Sequence, residues 1–208
     1  MTEPAFGPEL RDAVATNLDQ HPRLEVTDHE LRHAAVAITI VPGDAGQAAF
    51  VLTRRSSRLR SHSNQYALPG GRLDEGEDAH GAARREVHEE IGIELTPGDV
   101  IGTLDDYVTR SGYVITPVVA WTDDLTRLAP APGEVDAVML IGLHELFRDD
   151  SPRWIEIPES DRPVLQLPLL NRLIHAPTGA LLWQFREVAI AGELVRTDRV
   201  EEPTWAWR

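Results

Sequence analysis

The spacing of apolar side chains predicts a chain that mixes helices and strands without a regular alternation between them. Residues 8–19 place Leu10, Val14 and Leu18 on one face, which is the period of an amphipathic helix. Runs rich in Ala, Val and Ile between turn-forming residues predict strands instead. These strands are 33–41, 48–53, 64–68, 100–109, 113–122, 135–141 and 154–157. The mixture favours an α/β fold in which helices cover the faces of a mixed sheet.

Two later segments have helical composition. Residues 77–91 form the first, and Gly92 directly after them is a residue type that commonly closes a helix. Residues 179–191 form the second, with Thr178 as the expected N-cap and Gly192 as the stop. We therefore expect one helix in the middle of the chain and another near its end.

The segment between these helices and the end of the chain are harder to assign. Residues 149–163 are polar and contain prolines, so we expect a loop with one small strand at 154–157. The tail 200–208 carries Trp205 and Trp207. Because exposed tryptophan is unfavourable in water, we expect this tail to pack on the rest of the protein.

Length and composition limit the possible functions. We expect residues 1–208 to form one domain, with the helix at 8–19 and a C-terminal extension over about 151–208. The chain has no cysteine, so a metal must be held by oxygen or imidazole ligands. It also has no lysine, which excludes Schiff-base chemistry and a Walker-type phosphate lysine.

Charge and hydropathy suggest where the protein works. The formal net charge is −14, which argues against a nucleic-acid partner. Residues 1–19 lack the apolar core of a signal peptide, and the apolar runs are too short to cross a bilayer. We therefore expect a cytoplasmic protein with no membrane partner.

The helix predicted at 77–91 has an electrostatically unfavourable end. Glu86, Glu89 and Glu90 share one face because they are spaced at i, i+3 and i+4. Repulsion at i,i+4 costs about 0.2–0.5 kcal/mol, and the helix dipole disfavours each late carboxylate by about 0.3–1 kcal/mol. A pair between Arg85 and Glu89 offsets part of this cost. A divalent cation would reverse these terms, since Mg²⁺ prefers oxygen ligands; a solvated acidic helix is the alternative.

The segment from Gly71 to Ile93 resembles the Nudix box. The family pattern is Gly, five residues, Glu, seven residues, then Arg-Glu-aliphatic-any-Glu-Glu-any-Gly-aliphatic. In this sequence Gly71 and Glu77 are followed by Arg85-Glu86-Val87-His88-Glu89-Glu90-Ile91-Gly92-Ile93, so every fixed position matches.

The resemblance implies a Nudix-type αβα sandwich around a mixed sheet and a hydrolase that cleaves a nucleoside diphosphate derivative. It implies that Glu86, Glu89 and Glu90 hold Mg²⁺ or Mn²⁺. Arg85 would orient these glutamates, and Glu77, expected in the first helical turn, would support the preceding loop. The candidates for catalysis are therefore Glu89, Glu86 and Arg85, and which glutamate is the general base stays open. The tight turn before the helix also permits a backbone carbonyl at Gly71 to add a metal ligand.

Arginines are concentrated in the segment before the box. Residues 51–71 resemble the signature of the coenzyme A pyrophosphatase subgroup, with substitutions that include Asn64, Tyr66 and Leu68. Arginine forks suit phosphate groups. The candidate substrate-binding residues are Arg54, Arg55, Arg58, Arg60 and His62. An exposed basic loop is the alternative.

The resemblance leaves the substrate open. Coenzyme A or an acyl derivative would give 3′,5′-ADP and phosphopantetheine or its acyl form. ADP-ribose, NADH or another nucleoside diphosphate derivative is the alternative, and a non-catalytic Nudix ligand-binding regulator belongs to a different class. Glu134, before the last strand of the predicted sheet, is either a further carboxylate of the site or a surface residue. A homodimer is left open beside a monomer.

Overall fold

The structure is a computed structural model, and it describes residues 4–57 and 65–207. The N-terminal helix is α1 (Pro8–Gln20), close to the predicted 8–19. The central helix is α2 (Ala79–Ile91), and the last is α3 (Thr178–Gln184). The strands are β1 (Arg32–Pro42), β2 (Ala48–Arg55), β3 (Tyr66–Ala67), β4 (Gly70–Arg72), β5 (Val100–Thr103), β6 (Tyr107–Val108), β7 (Tyr113–Trp121), β8 (Val135–Gly142), β9 (Arg153–Ile157), β10 (Ser160–Leu169) and β11 (Arg172–His175).

The first eight strands form one mixed sheet in the described part of the chain. The strand order is β3-β2-β1-β7-β5, and in addition β4 pairs with β1, β6 with β7 and β8 with β2. The pair β1–β7 is parallel, whereas the other pairs are antiparallel. The predicted mixed sheet is therefore confirmed.

Helix α2 covers one face of this sheet. Its buried side chains Ala83, Val87 and Ile91 pack in one apolar cluster with residues of β1 and β2 such as Ala37 and Val51. Small residues on β1 allow the helix to lie close to the sheet. This contact fixes the face on which the glutamates of α2 are found.

The opposite face is covered by both ends of the chain. Val14 and Leu18 of α1 join Phe50 and Leu52 of β2 in a second apolar cluster, which also contains Phe185 near the end of the chain. Strand alternation explains the two layers, since Val51 and Leu52 are neighbours that point to opposite faces. The arrangement is the expected αβα sandwich.

A second sheet, of order β11-β10-β9, replaces the loop expected at 149–163. The prediction was wrong from Ser160 onward, where β10 begins and runs to Leu169. Leu165 and Leu167 of β10 are fully buried against the second cluster, so tertiary packing stabilises a strand that the prolines had concealed. The strand at 154–157 was placed correctly within one residue.

Further boundaries also differ from the prediction. The strand expected at 100–109 is divided into β5 and β6, because Asp105 and Asp106 between them accept hydrogen bonds from the backbone of the segment after α1. The N-cap of α3 is Pro177 rather than Thr178. Helix α3 then continues as a π-helix over Phe185–Ile190, close to the predicted end.

The tail packs on the rest of the protein, as predicted. Its 3-10 helix Thr204–Trp207 is fixed by a hydrogen bond from Trp207 Nε1 to the carbonyl of Glu202, at 3.0 Å. The guanidinium of Arg110 lies 4.6 Å from the centre of the Trp207 ring. Among the described residues, no helix combines the length and apolar character needed to cross a membrane.

Candidate active site

Two caps define the ends of α2. The side chain of Asp78 accepts a hydrogen bond of 2.7 Å from the Gly81 N–H, so the helix begins at Ala79. Glu77 therefore lies before the helix and not in its first turn, which corrects the prediction. At the other end, Gly92 has φ of 75° and donates to the His88 carbonyl at 2.9 Å, which confirms it as the closing residue.

Arg85 connects the loop before α2 to the glutamates on the helix. Its Nε and Nη2 donate to the two carboxylate oxygens of Glu77, at 3.1 and 3.0 Å. Its Nη1 donates to Glu86 Oε1 at 2.8 Å and to Glu89 Oε2 at 3.1 Å. A further bond of 3.0 Å reaches the carbonyl of Arg72. The predicted pair of Arg85 and Glu89 is present, and it is part of a larger network.

The network has the expected effects on ionisation. Hydrogen bonding to Glu77 and Glu86 raises the pKa of Arg85, and the Arg85 hydrogen bond lowers the pKa of Glu77. Glu77 also accepts a hydrogen bond of 3.0 Å from the Asp74 N–H. Glu77 thus joins the loop before α2 to Arg85.

Gly71 lies directly against Glu86. It belongs to β4 and is opposite Ala35 of β1. A Cβ atom placed on Gly71 would overlap the Glu86 carboxylate. A side chain at this position would therefore displace Glu86, and this explains why strand β4 carries glycine here, although a turn was expected.

Glu90 is the buried carboxylate of the site. It is 5% exposed and lies 3.5 Å from Arg55 Nη1. Burial raises its pKa to about 7; Arg55 and the Gly70 N–H lower it, while the charges of Glu86 and Glu134 raise it. A carboxylate in this environment is stabilised in its charged form by an additional cation.

The carboxylates fit a hard divalent cation by their chemistry. Three glutamates at one end of α2 supply oxygen ligands, and the chain has no thiolate that would favour a softer metal. Within residues 4–57 and 65–207, no three acidic or histidine side chains already converge as a metal cluster. Arg85 bonds Glu86 and Glu89 through the same nitrogen, so its positive charge offsets part of their repulsion.

The two described arginines before the box point to opposite faces of the sheet. Arg55 faces α2, where it meets Glu90, whereas strand alternation turns Arg54 to the opposite face of the sheet. Arg54 lies across from Tyr66 of β3. The other predicted substrate residues, Arg58, Arg60 and His62, lie outside the described residues.

Glu134 is exposed and precedes β8. Its carbonyl accepts a hydrogen bond of 2.8 Å from the Ser56 N–H, beside Arg55. Its charge contributes to the raised pKa of Glu90, so it lies near the site without a direct bond to the box glutamates.

The carbonyl of Arg72, which accepts a hydrogen bond from Arg85, was missed by sequence reasoning. A backbone carbonyl is present in every residue type, so the sequence gives no sign that this one is used.

Comparisons with known proteins agree with this geometry. A family model described as NUDIX domain matches residues 31–160. Nudix hydrolase 3 of Caenorhabditis elegans is 35% identical over 153 residues, which cover 69% of this chain and 63% of the relative. Nudix hydrolase 15, mitochondrial, of Arabidopsis thaliana is 35% identical over 125 residues, covering 59% of this chain and 44% of the relative. The matched segment is thus less than two thirds of either relative's length.

A solved structure shows the same fold. The MutT/nudix family protein from Enterococcus faecalis superimposes with a TM-score of 0.53 at 14% identity. The superposition covers 88% of this chain and 75% of that one. The mixed sheet with its covering helices is therefore an architecture that this family is known to adopt.

Proposed function

The chain belongs to the Nudix family, and we propose that it is a hydrolase that uses Mg²⁺ or Mn²⁺ to cleave the diphosphate bond of a nucleoside diphosphate derivative. The observation that carries the proposal is the network around Arg85, which holds Glu77, Glu86 and Glu89 beside the buried Glu90. The relatives named above are Nudix hydrolases, which supports the same reaction class.

The side chains have distinct parts in this proposal. Glu86, Glu89 and Glu90 would hold the metal, with the backbone of Gly71 beside them. When bound, the metal neutralises phosphate charge and lowers the pKa of a water molecule. Arg85 is a positioning residue that fixes Glu86 and Glu89 relative to the loop. A carboxylate that is not engaged with the metal accepts the proton of the attacking water.

Substitution of Glu89 tests the catalytic role. Its side chain is 52% exposed and bonds Arg85, so Glu89→Gln removes a charge without opening the core. We expect turnover to be lost while the thermal midpoint is retained. Glu94→Gln is the matched control, because Glu94 is 61% exposed and pairs with Arg127 away from the site. Full turnover by Glu89→Gln would refute the catalytic role of this carboxylate, whereas unchanged ligand binding alone would not.

We further propose coenzyme A or an acyl derivative as the substrate. The first arginine of the subgroup signature falls at Arg55, and Arg55 is the residue that meets Glu90 of the box. A cation at this point is suited to a phosphate that approaches the metal. ADP-ribose, NADH and other nucleoside diphosphate derivatives remain the alternative substrates.

A product assay distinguishes these substrates. Coenzyme A, ADP-ribose, NADH and diadenosine polyphosphates are each incubated with the protein and Mg²⁺, and the products are identified by mass. We expect 3′,5′-ADP and phosphopantetheine from coenzyme A. If coenzyme A is inert while another compound is cleaved, the subgroup assignment is wrong and the hydrolase assignment stands.

We also propose that the predicted extension, residues 151–208, belongs to the same domain as the box. Leu165 and Phe185 from this extension pack in one cluster with Val14 and Phe50.

The oligomeric state is tested separately. Light scattering on the purified chain decides between the monomer and the homodimer.

A further inference from the structure

An open cavity of about 490 Å³ lies where β3, β11 and the tail meet. Arg54 lines it, together with Tyr66, Arg172, His175 and Trp205. Because Arg54 points away from the face on which Arg55 meets Glu90, the cavity opens on the other side of β2 from the box. It is therefore distinct from the site at α2, although the two arginines are neighbours in sequence.

The charge of this cavity is unusual for the protein. Its lining contains two arginines and no carboxylate, in a chain of net charge −14. Among the described residues, neither Arg54 nor Arg172 forms an ion pair, and Arg54 Nε is buried without a hydrogen-bond partner. Nearby Arg110 and Arg162 both pair with the carboxylate of Glu201. Unpaired guanidinium groups that line one cavity suit an anion, and phosphate matches their geometry.

The cavity also presents an aromatic ring. Trp205 is 57% exposed, and its ring packs edge-on against His175 with 5.5 Å between centres. The neighbouring Trp207 is held by its hydrogen bond to the Glu202 carbonyl and by the guanidinium of Arg110 over its ring. Burial lowers the pKa of His175, so the positive charge of the cavity comes from the arginines. An exposed tryptophan held at a cavity edge is suited to stacking on a planar base.

We propose that this cavity binds a nucleotide, with its phosphate against Arg54 and Arg172 and its base on Trp205. Three of the five residues, Arg172, His175 and Trp205, lie after the segment 31–160 that the family model matches. The binding site is thus built largely by the C-terminal part of this chain. The nucleotide is either the far end of the substrate itself or a separate ligand.

Equilibrium binding without metal tests the proposal independently of hydrolysis. AMP, adenosine and inorganic phosphate are titrated into the full chain in EDTA, with calorimetry as the readout. We expect AMP to bind, and Arg172→Gln to weaken AMP and phosphate by on the order of tenfold or more. Trp205→Ala is expected to weaken AMP and adenosine while leaving phosphate unchanged.

Arg153→Gln is the matched control, since Arg153 is an exposed arginine on the same small sheet that pairs with Asp150 outside this cavity. Arg172 is itself exposed, so its substitution keeps the test valid if Arg54→Gln does not fold. The proposal is overturned if the unmodified protein binds no AMP. It is equally overturned if Arg172→Gln and Trp205→Ala both bind AMP as the unmodified protein does.

Turnover then identifies the source of the nucleotide. If the site takes the far end of the substrate, Arg172→Gln raises KM and AMP inhibits competitively. If it takes a separate ligand, KM is unchanged in Arg172→Gln, and the effect of AMP on the rate of the unmodified enzyme is not competitive. Both results keep the binding site. Because AMP binding is measured without metal, failure of the hydrolase proposal leaves this test intact.

Discussion

Arg85 shows how one residue can organise an acidic site. Its five donors face Glu77, Glu86, Glu89 and a backbone carbonyl, so the guanidinium joins the loop before α2 to the helix. Sequence spacing was sufficient to predict the pair with Glu89, because residues at i and i+4 meet on a helix. The bond to Glu77 depends on the path of the loop, and local spacing does not determine that path.

Arg85→Lys is expected to lower kcat/KM by about 10–100-fold, as is usual for residues that orient metal ligands. Lysine keeps the charge but loses the planar fork that reaches the carboxylates of Glu77, Glu86 and Glu89 at once. Steady-state kinetics with saturating Mg²⁺ measure the effect. Arg127→Lys, which alters an exposed pair with Glu94, is the control and should leave kcat/KM unchanged. Equal activity of both variants would show that charge alone suffices.

Gly71→Ala is expected to weaken metal binding while the protein remains folded. The new Cβ would overlap the Glu86 carboxylate, which must then move away from β4. Electron paramagnetic resonance with Mn²⁺ measures the affinity. Gly98→Ala is the control, because a Cβ there meets only the Thr96 hydroxyl oxygen, at 3.7 Å. Unchanged Mn²⁺ affinity in Gly71→Ala would show that Glu86 is not a metal ligand.

At the scale of elements, the sequence was informative where local rules decide the structure. Gly92 closes α2 as predicted, because the preference of glycine for helix ends is local. The strand β10 was missed because its burial comes from tertiary packing within the second apolar cluster. Arg54 and Arg55 point to opposite faces because both lie in strand β2. The sequence alone shows four arginines close together and does not indicate that these two are divided between the faces.

The docked tail gives the stability of the protein a specific dependence on pH. Burial alone would raise the pKa of Glu201, but hydrogen bonds from Arg110, Ser160 and Arg162 outweigh it and lower this pKa to about 2. The ordinary value is 4.5. The stabilisation by Glu201 is therefore present above about pH 4.5 and is lost as the pH falls towards 2.

We expect Glu201→Gln to have a lower thermal midpoint than the unmodified protein at pH 7. The difference should shrink as the pH falls from about 4.5 towards 2, because the native carboxylate then becomes protonated. Calorimetry at stepwise pH measures it. Glu193→Gln, at an exposed position, is the control and should follow the unmodified protein. A difference that is constant with pH would assign the effect to packing instead of charge.

For the whole molecule, a buried polar network joins segments that are far apart in sequence. Asp105 is 1% exposed and accepts hydrogen bonds from the Leu24 N–H at 2.8 Å and from Arg196 Nη1 at 2.9 Å. His21 Nε2 lies 2.9 Å from it, and Gln184 Nε2 donates at 2.7 Å. Since these partners come from both ends of the chain, loss of Asp105 should loosen both.

Asp105→Ala is expected to lower the free energy of unfolding by about 3–5 kcal/mol, because it leaves buried partners of a charged group unpaired. Urea unfolding followed by circular dichroism and by tryptophan fluorescence measures the change. If residues 151–208 share a domain with the sheet, both signals should shift together, since the sheet dominates the first and the C-terminal tryptophans contribute to the second. Asp123→Ala, at an exposed position, is the control. Two separate transitions would show that the C-terminal part unfolds on its own, and the docked ends would then be an interface between two folding units.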